Sequence, residues 1–168
     1  MPNGVGSLYE GWERINERLV QRLPNLSPDE LQFGREQGWP IWALVSHIAG
    51  ARVYWLCGVF KEPGADTTPF ADPFGEGWDD RLDVPRGADE LLFAVESSWR
   101  IVESCLQGWT VKSLAQSFPR ERGGAIQLYT RASVLTRLAT HDAFHSGEVS
   151  LLLGMRGLPA LDPWTPLP

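Results

Sequence analysis

The sequence predicts an all-α protein: a four-helix bundle with a long connection between helices 2 and 3 and, before helix 4, a stretch read as a short hairpin or an irregular excursion. Three observations carry this reading. Four long segments place apolar residues at steps of three and four, one connection rich in proline and glycine divides them in the middle, and 168 residues suit a single domain spanning 1–168.

The first helix is expected over 7–23, where Leu8, Trp12, Ile15, Leu19 and Leu23 line one side and Glu13, Arg14, Glu17 and Arg18 the other. Ser27-Pro28-Asp29-Glu30 then carries serine at the N-cap, proline at the first helical position and glutamate at the third. That is the signature of a short helix, which Gly34 or Gly38 would end. The second long helix covers about 40–60 and stops at Pro63-Gly64. Its stripe of Ala43, Leu44, His47, Ala51 and Tyr54 makes His47 a core-facing histidine. The stretch is long enough to span a bilayer, but Ser46, His47 and Arg52 lie in its interior and no second such segment exists, so it reads as a helix buried on most sides.

Residues 61–87 hold prolines, glycines and acidic residues without a sustained period. A connection this long in a compact domain is a functional loop, a lid or a crossover rather than plain linker. Phe70, Phe74 and Trp78 are expected to pack it onto the body. The third helix covers about 88–107, with Leu91, Leu92, Val95, Trp99, Val102 and Leu106 at helical spacing and Gly108 closing it. Residues 113–129 alternate weakly around Arg122-Gly123-Gly124. The last helix starts after the N-cap Thr130 and continues to Leu153, with Gly154 as its C-cap and Gly157-Leu158-Pro159 beyond. The tail, ALDPWTPLP, is too proline-rich for helix or central strand, and its Trp164 is expected to dock on the body or on a partner subunit.

A net charge of −6 and a pI near 5.0, with scattered basic residues, argue against nucleic-acid binding and against anionic membrane surfaces. Cys57 and Cys105 form no CxxC pair and do not read as metal ligands. With no signal-peptide pattern at the N-terminus, a cytoplasmic location is expected. Trp12, Trp55 and Trp99 fall among aliphatic residues at helical spacing and are read as core; Trp42 and Tyr54 are candidates for lining a cavity.

The chain has three histidines, and two of them, His141 and His145, are four apart on the stripe Val134, Leu138, His141, His145, Glu148, Leu152. Residues four apart share a helix face, so the two imidazoles can reach one ion. His47 lies on the core stripe of another helix. Burying three unpaired imidazoles is costly, and one divalent ion accounts for all three together. The bland alternative is three hydrogen-bonded core histidines and no metal. The residue after His141 is Asp142, so the HExxH helix of zinc proteases is excluded. Three nitrogen ligands leave coordination positions open, as in catalytic sites, whereas closed structural zinc sites use four protein ligands.

Glu148 is the candidate catalytic carboxylate, with several roles open: a further ligand, an acceptor for an imidazole N–H, a general base on activated water, or a rim residue paired with an arginine such as Arg52. Asp142, about 100° off the stripe, is read as facing outward or supporting the packing of a neighbouring element.

Three motifs resemble the DinB-like superfamily of metal-binding four-helix bundles, which includes YfiT-like hydrolases and thiol-dependent transferases and isomerases. They are W-x-x-x-x-H from Trp42 to His47, the hairpin-like stretch leading into TRASVLTRLATHDAFHSGEVSLLL, and H-x-x-x-H-x-G-E ending at Glu148. The resemblance covers nearly the whole chain. It implies that His47, His141 and His145 bind a divalent metal and that the protein is a homodimer. Members often have glutamine where this chain has Glu148. The function expected is a metal-dependent enzyme, a thiol transferase or hydrolase, acting on a small-molecule substrate with water or a low-molecular-weight thiol as nucleophile. Zinc or nickel is expected first, then iron or manganese. The alternative is a non-catalytic metal-binding, stress-response bundle acting through its surface or dimer interface.

Overall fold

A computed structural model describes residues 4–34, 36 and 38–165; the last three residues of the tail lie outside the described residues. The chain is mostly helical rather than all-α, because the stretch before the last helix forms a two-stranded sheet. The elements in order are α1 (Glu10–Arg22), α2 (Pro28–Leu31), α3 (Ile41–Val53), α4 (Ala88–Gly108), β1 (Ser117–Arg122), β2 (Ala125–Thr130) and α5 (Arg131–Met155), with single turns of 3₁₀-helix between several of them. Helix α3 packs on α4 and α5, and α1 closes on the same two. No helix is long and apolar enough to cross a membrane among the described residues.

Helix α3 owes its position to its composition. Ile41, Trp42, Ala43, Val45, Ile48, Ala49 and Val53 are fully buried, so the helix is apolar on nearly every side and can only lie in the centre. It continues as a π-helical turn, Tyr54–Val59, which widens the coil and shifts the side-chain phase just where Tyr54 and Trp55 emerge. Helix α1 is shorter than the expected 7–23. A 3₁₀ turn precedes it, and Leu8, expected on the core stripe, is exposed. Its buried face instead includes a polar residue, Asn16.

Two caps match the sequence signals. The Ser27 hydroxyl accepts from the Glu30 backbone N–H while the Glu30 carboxylate accepts from the Ser27 backbone N–H. The Thr130 hydroxyl likewise accepts from Ser133 N–H and starts α5. The end of α5 differs: the helix runs through Gly154 to Met155, and Gly157 at φ +71° reverses the chain. The Leu158 and Gly157 N–H groups then bond back to the Leu153 and Gly154 carbonyls. The hairpin closes on Gly123-Gly124, both at positive φ, with Arg122 paired to Ala125, the two-residue turn that matches strand twist.

The 61–87 connection packs against the body through buried Phe70 and half-buried Trp78, whereas Phe74 is largely exposed with its ring edge on Tyr54. Its 3₁₀ turn, Trp78–Asp80, lies against α3. The tail docks along α1 and α5: Leu161 N–H donates to the Ser150 hydroxyl, and Arg18 donates to the Thr165 carbonyl. Trp164 itself stays largely exposed.

Candidate metal centre

His47 on α3 and His141 and His145 on α5 converge. One ring nitrogen of each lies within 4.8 Å of the other two, and the ring centroids are 4.5–5.0 Å apart. The convergence follows from α3 and α5 packing directly on each other with the three histidines on facing sides. Two nitrogens on a tetrahedral ion with bonds of about 2.0–2.1 Å lie roughly 3.4 Å apart, so the three atoms are grouped on the scale of a single ion.

Each imidazole is tied to a carboxylate through Nδ1. His47 Nδ1 lies 2.8 Å from Asp79 Oδ2, His145 Nδ1 2.6 Å from Glu148 Oε2, and His141 Nδ1 3.3 Å from Asp142 Oδ1. An ionised carboxylate only accepts, so Nδ1 carries the proton in all three rings and the Nε2 lone pairs are left to bind an ion. Burial holds His145 below the ordinary imidazole range; the bond to Glu148 acts against this, and the neighbouring His141 and His47 reinforce it. A neutral imidazole is the form a metal requires. The donor set, three imidazole nitrogens on oriented rings, therefore fits a divalent ion.

Of the roles open to Glu148, the geometry shows the imidazole acceptor. The rim pairing with Arg52 does not occur: Arg52 is completely buried and its Nε donates to Asp142 Oδ2 at 2.8 Å. Asp142 does not face outward either. It has no exposed surface, because about 100° off the histidine stripe points towards Trp12 of α1 and Arg52 of α3 rather than to solvent. Trp12 Nε1–H donates to the same Oδ2 at 2.6 Å, and Arg52 donates to Asn16 Oδ1 at 2.9 Å. Asp142 supports the packing of neighbouring elements and touches a histidine of the cluster with its other oxygen.

A cavity of about 450 Å³ reaches His47 and His141. The 61–87 connection forms one wall, including Asp72, Glu76, Asp79 and Asp80; Tyr54, Trp55, Arg120 and Arg137 contribute to the other. Trp42, a candidate lining residue, is instead fully buried, with its indole N–H unpartnered. Tyr54 does line the cavity, and so does Trp55, whose helical spacing points to the core and which is indeed nearly buried. On the opposite side of the cluster Trp39 packs edge-on to His47, at 4.8 Å between centroids, and stacks on His145 at 6.4 Å. The sequence pattern points to neither Asp79 nor Trp39. Both lie in irregular segments, where no period assigns a direction. Cys57 and Cys105 are buried, free and outside the cluster.

A family model of the DinB superfamily matches residues 12–149. The chain belongs to the DinB superfamily. The crystal structure of a DinB-like protein from Bacillus cereus ATCC 10987 is similar to this DinB superfamily chain, with a TM-score of 0.65 at 20% identity, covering 95% of this chain and 97% of that one. At that identity the likeness shows a shared fold. No curated protein matches the chain. The three-histidine group of this DinB superfamily member is compatible with metal binding, as its donor chemistry indicates.

Proposed function

We propose that this DinB superfamily protein is a metal-dependent enzyme, a thiol transferase or hydrolase, built as a single four-helix-bundle domain. His47, His141 and His145 would hold one divalent ion, with zinc or nickel favoured by the all-nitrogen donor set. When bound, the ion supplies a Lewis acid that makes water or a low-molecular-weight thiol nucleophilic at neutral pH. One observation carries the reading: the cluster borders a 450 Å³ cavity walled by the 61–87 connection, so a small molecule can reach it. An accessible cluster supports an enzyme over a sealed binding module.

The residues divide the work. Asp79, Asp142 and Glu148 fix the tautomer and orientation of the three rings. Glu148 enters in a narrower form than a general base: with Oε2 engaged by His145, it acts through that imidazole as a positioning residue. The nucleophilic thiol comes from the co-substrate, because burial pushes Cys57 up to about 11 and Cys105 up to about 12.

The same proposal includes a cytoplasmic location and a homodimer. An apolar groove of about 720 Å³ along α1, α5 and the tail, edged by exposed Leu151, Met155 and Trp164, supports self-association; a monomer by light scattering would remove that part.

The deciding experiment is elemental analysis of untagged protein grown in metal-replete medium. About one divalent ion per chain is expected, with none in His141→Ala. Turnover is then assayed with a panel of thiols and of hydrolysable esters and amides. Metal-free wild-type protein overturns the proposal; metal without turnover of any pair moves the protein to the non-catalytic alternative.

A further inference from the structure

The cavity beside the histidines has charge on both walls, and the two walls differ in how that charge is used. On the loop side every carboxylate has a partner: Asp79 holds His47, Asp80 accepts from Gly77 N–H, Asp72 from Phe74 N–H, and Glu76 faces Arg81 at 3.8 Å. On the other side Arg120, Arg122 and Arg137 have no carboxylate within salt-bridge distance among the described residues. Arg120 donates to the Tyr54 hydroxyl at 2.7 Å and lies over the Tyr54 and Trp55 rings at 5.2 and 4.8 Å. Arg137 lies over Trp55 at 5.1 Å and Tyr129 at 5.8 Å. Stacking on ring faces holds a guanidinium plane in place and leaves most of its N–H edge free.

Two unneutralised, ring-oriented guanidiniums in the cavity that touches His47 and His141 make an oxyanion receptor. Arg137, His141 and His145 follow one another at steps of four on α5, so Arg137 sits one turn from the cluster, about 6 Å along the helix axis. A dianion would be repelled by the acidic wall opposite, which favours a singly charged group. We infer that Arg120 and Arg137 form a subsite for the carboxylate of a small organic acid, holding it one helical turn from the three histidines so that the substrate or thiol acted on carries that carboxylate. This inference deepens the proposed enzyme function and rests on it for the word substrate; the subsite itself does not.

The test is binding to zinc-loaded, full-length protein by calorimetry, with N-acetylcysteine, its methyl ester, N-acetylalanine and inorganic phosphate as probes. N-acetylcysteine is expected to bind at least about tenfold more tightly than its ester, the scale of a hydrogen bond to a charged group. Arg137→Met and Arg120→Met should each remove most of that difference while leaving the affinity for the ester, the zinc content and the urea midpoint unchanged. Arg137→Lys should restore part of it. Equal binding of acid and ester, or variants that weaken both alike, overturns the subsite. Phosphate binding more tightly than N-acetylalanine overturns the choice of a carboxylate. The two proposals fail separately. Without zinc uptake the enzyme reading falls, yet salt-sensitive binding of N-acetylalanine that Arg137→Met abolishes still supports the subsite.

Discussion

Two polar clusters lie side by side between α3 and α5, and they use charge in opposite ways. In the first, Arg52 and Asp142 are both fully buried, bonded to each other, to Asn16 and to the Trp12 indole, with the Arg52 guanidinium 5.2 Å from the Trp99 ring. In the second, three imidazoles converge beside a cavity that reaches His47 and His141, and Arg120, Arg122 and Arg137 line that cavity without a carboxylate partner among the described residues. The two are joined at adjacent residues: Asp142 closes the sealed cluster with one oxygen and meets His141 with the other. The difference teaches how to separate structure from function in a polar interior. A buried ion pair bonded to several neighbours, with only Arg52 Nη2 left unpartnered, holds the helices in register, whereas oriented groups without carboxylate partners beside a cavity can take up a ligand.

The sharpest way to break this comparison is to remove the shared residue. Asp142→Ala leaves the Arg52 guanidinium buried without its counter-charge, and unfolding free energy in urea should fall by about 3–5 kcal/mol. Replacing both partners, Arg52→Met with Asp142→Leu, should recover most of it. A loss below about 1 kcal/mol would show that the pair holds nothing together.

The open cluster should respond in affinity rather than in stability. Asp79→Ala frees the His47 ring, and divalent-ion affinity should drop about 10- to 100-fold in a chelator competition while the urea midpoint stays put. Glu148→Gln should lose less than about tenfold, because the amide oxygen still accepts the His145 Nδ1 proton. Unchanged affinity in Asp79→Ala would remove the orienting role of the carboxylates.

The smallest effect concerns the thiols. Burial raises Cys57 to about 11 and Cys105 to about 12 from an ordinary 9.0. Both are un-ionised in the native state, so their contribution is fully present below about pH 9 and is lost as pH rises through the native values. At pH 10 each costs roughly 1.4 kcal/mol, because the unfolded thiol ionises and the native one does not. Cys105→Ala should flatten the decline of stability between pH 8 and 10, and native protein at pH 8 should react slowly with a thiol reagent. Fast labelling would contradict the burial.

The helices and the histidine triad are legible in the residues alone. Apolar steps of three and four locate α1, α3, α4 and α5, the Ser27 and Thr130 caps mark two starts, and four-residue spacing pairs His141 with His145. Arg137 is legible in principle, four before His141, but a lone arginine at that spacing reads as a solvated face until Trp55 and Tyr129 are seen beneath it. The direction of Asp142 is not legible, since angular position on a helix does not say which neighbour lies there. Nor is that of Leu8, because a 3₁₀ turn breaks the period that would put it on the core stripe.

By itself the sequence determined the helices, the helix-borne histidines and the residues able to bind an ion, since periodicity, capping and donor chemistry are local properties of the chain. Only the tertiary structure decided that Asp79 meets His47 across 32 positions, that Arg52 belongs to Asp142 rather than Glu148, and that Arg120 and Arg137 face one cavity. Those pairings depend on how an aperiodic connection and a hairpin fold back over α3 and α5, and no regular spacing encodes the path of such segments.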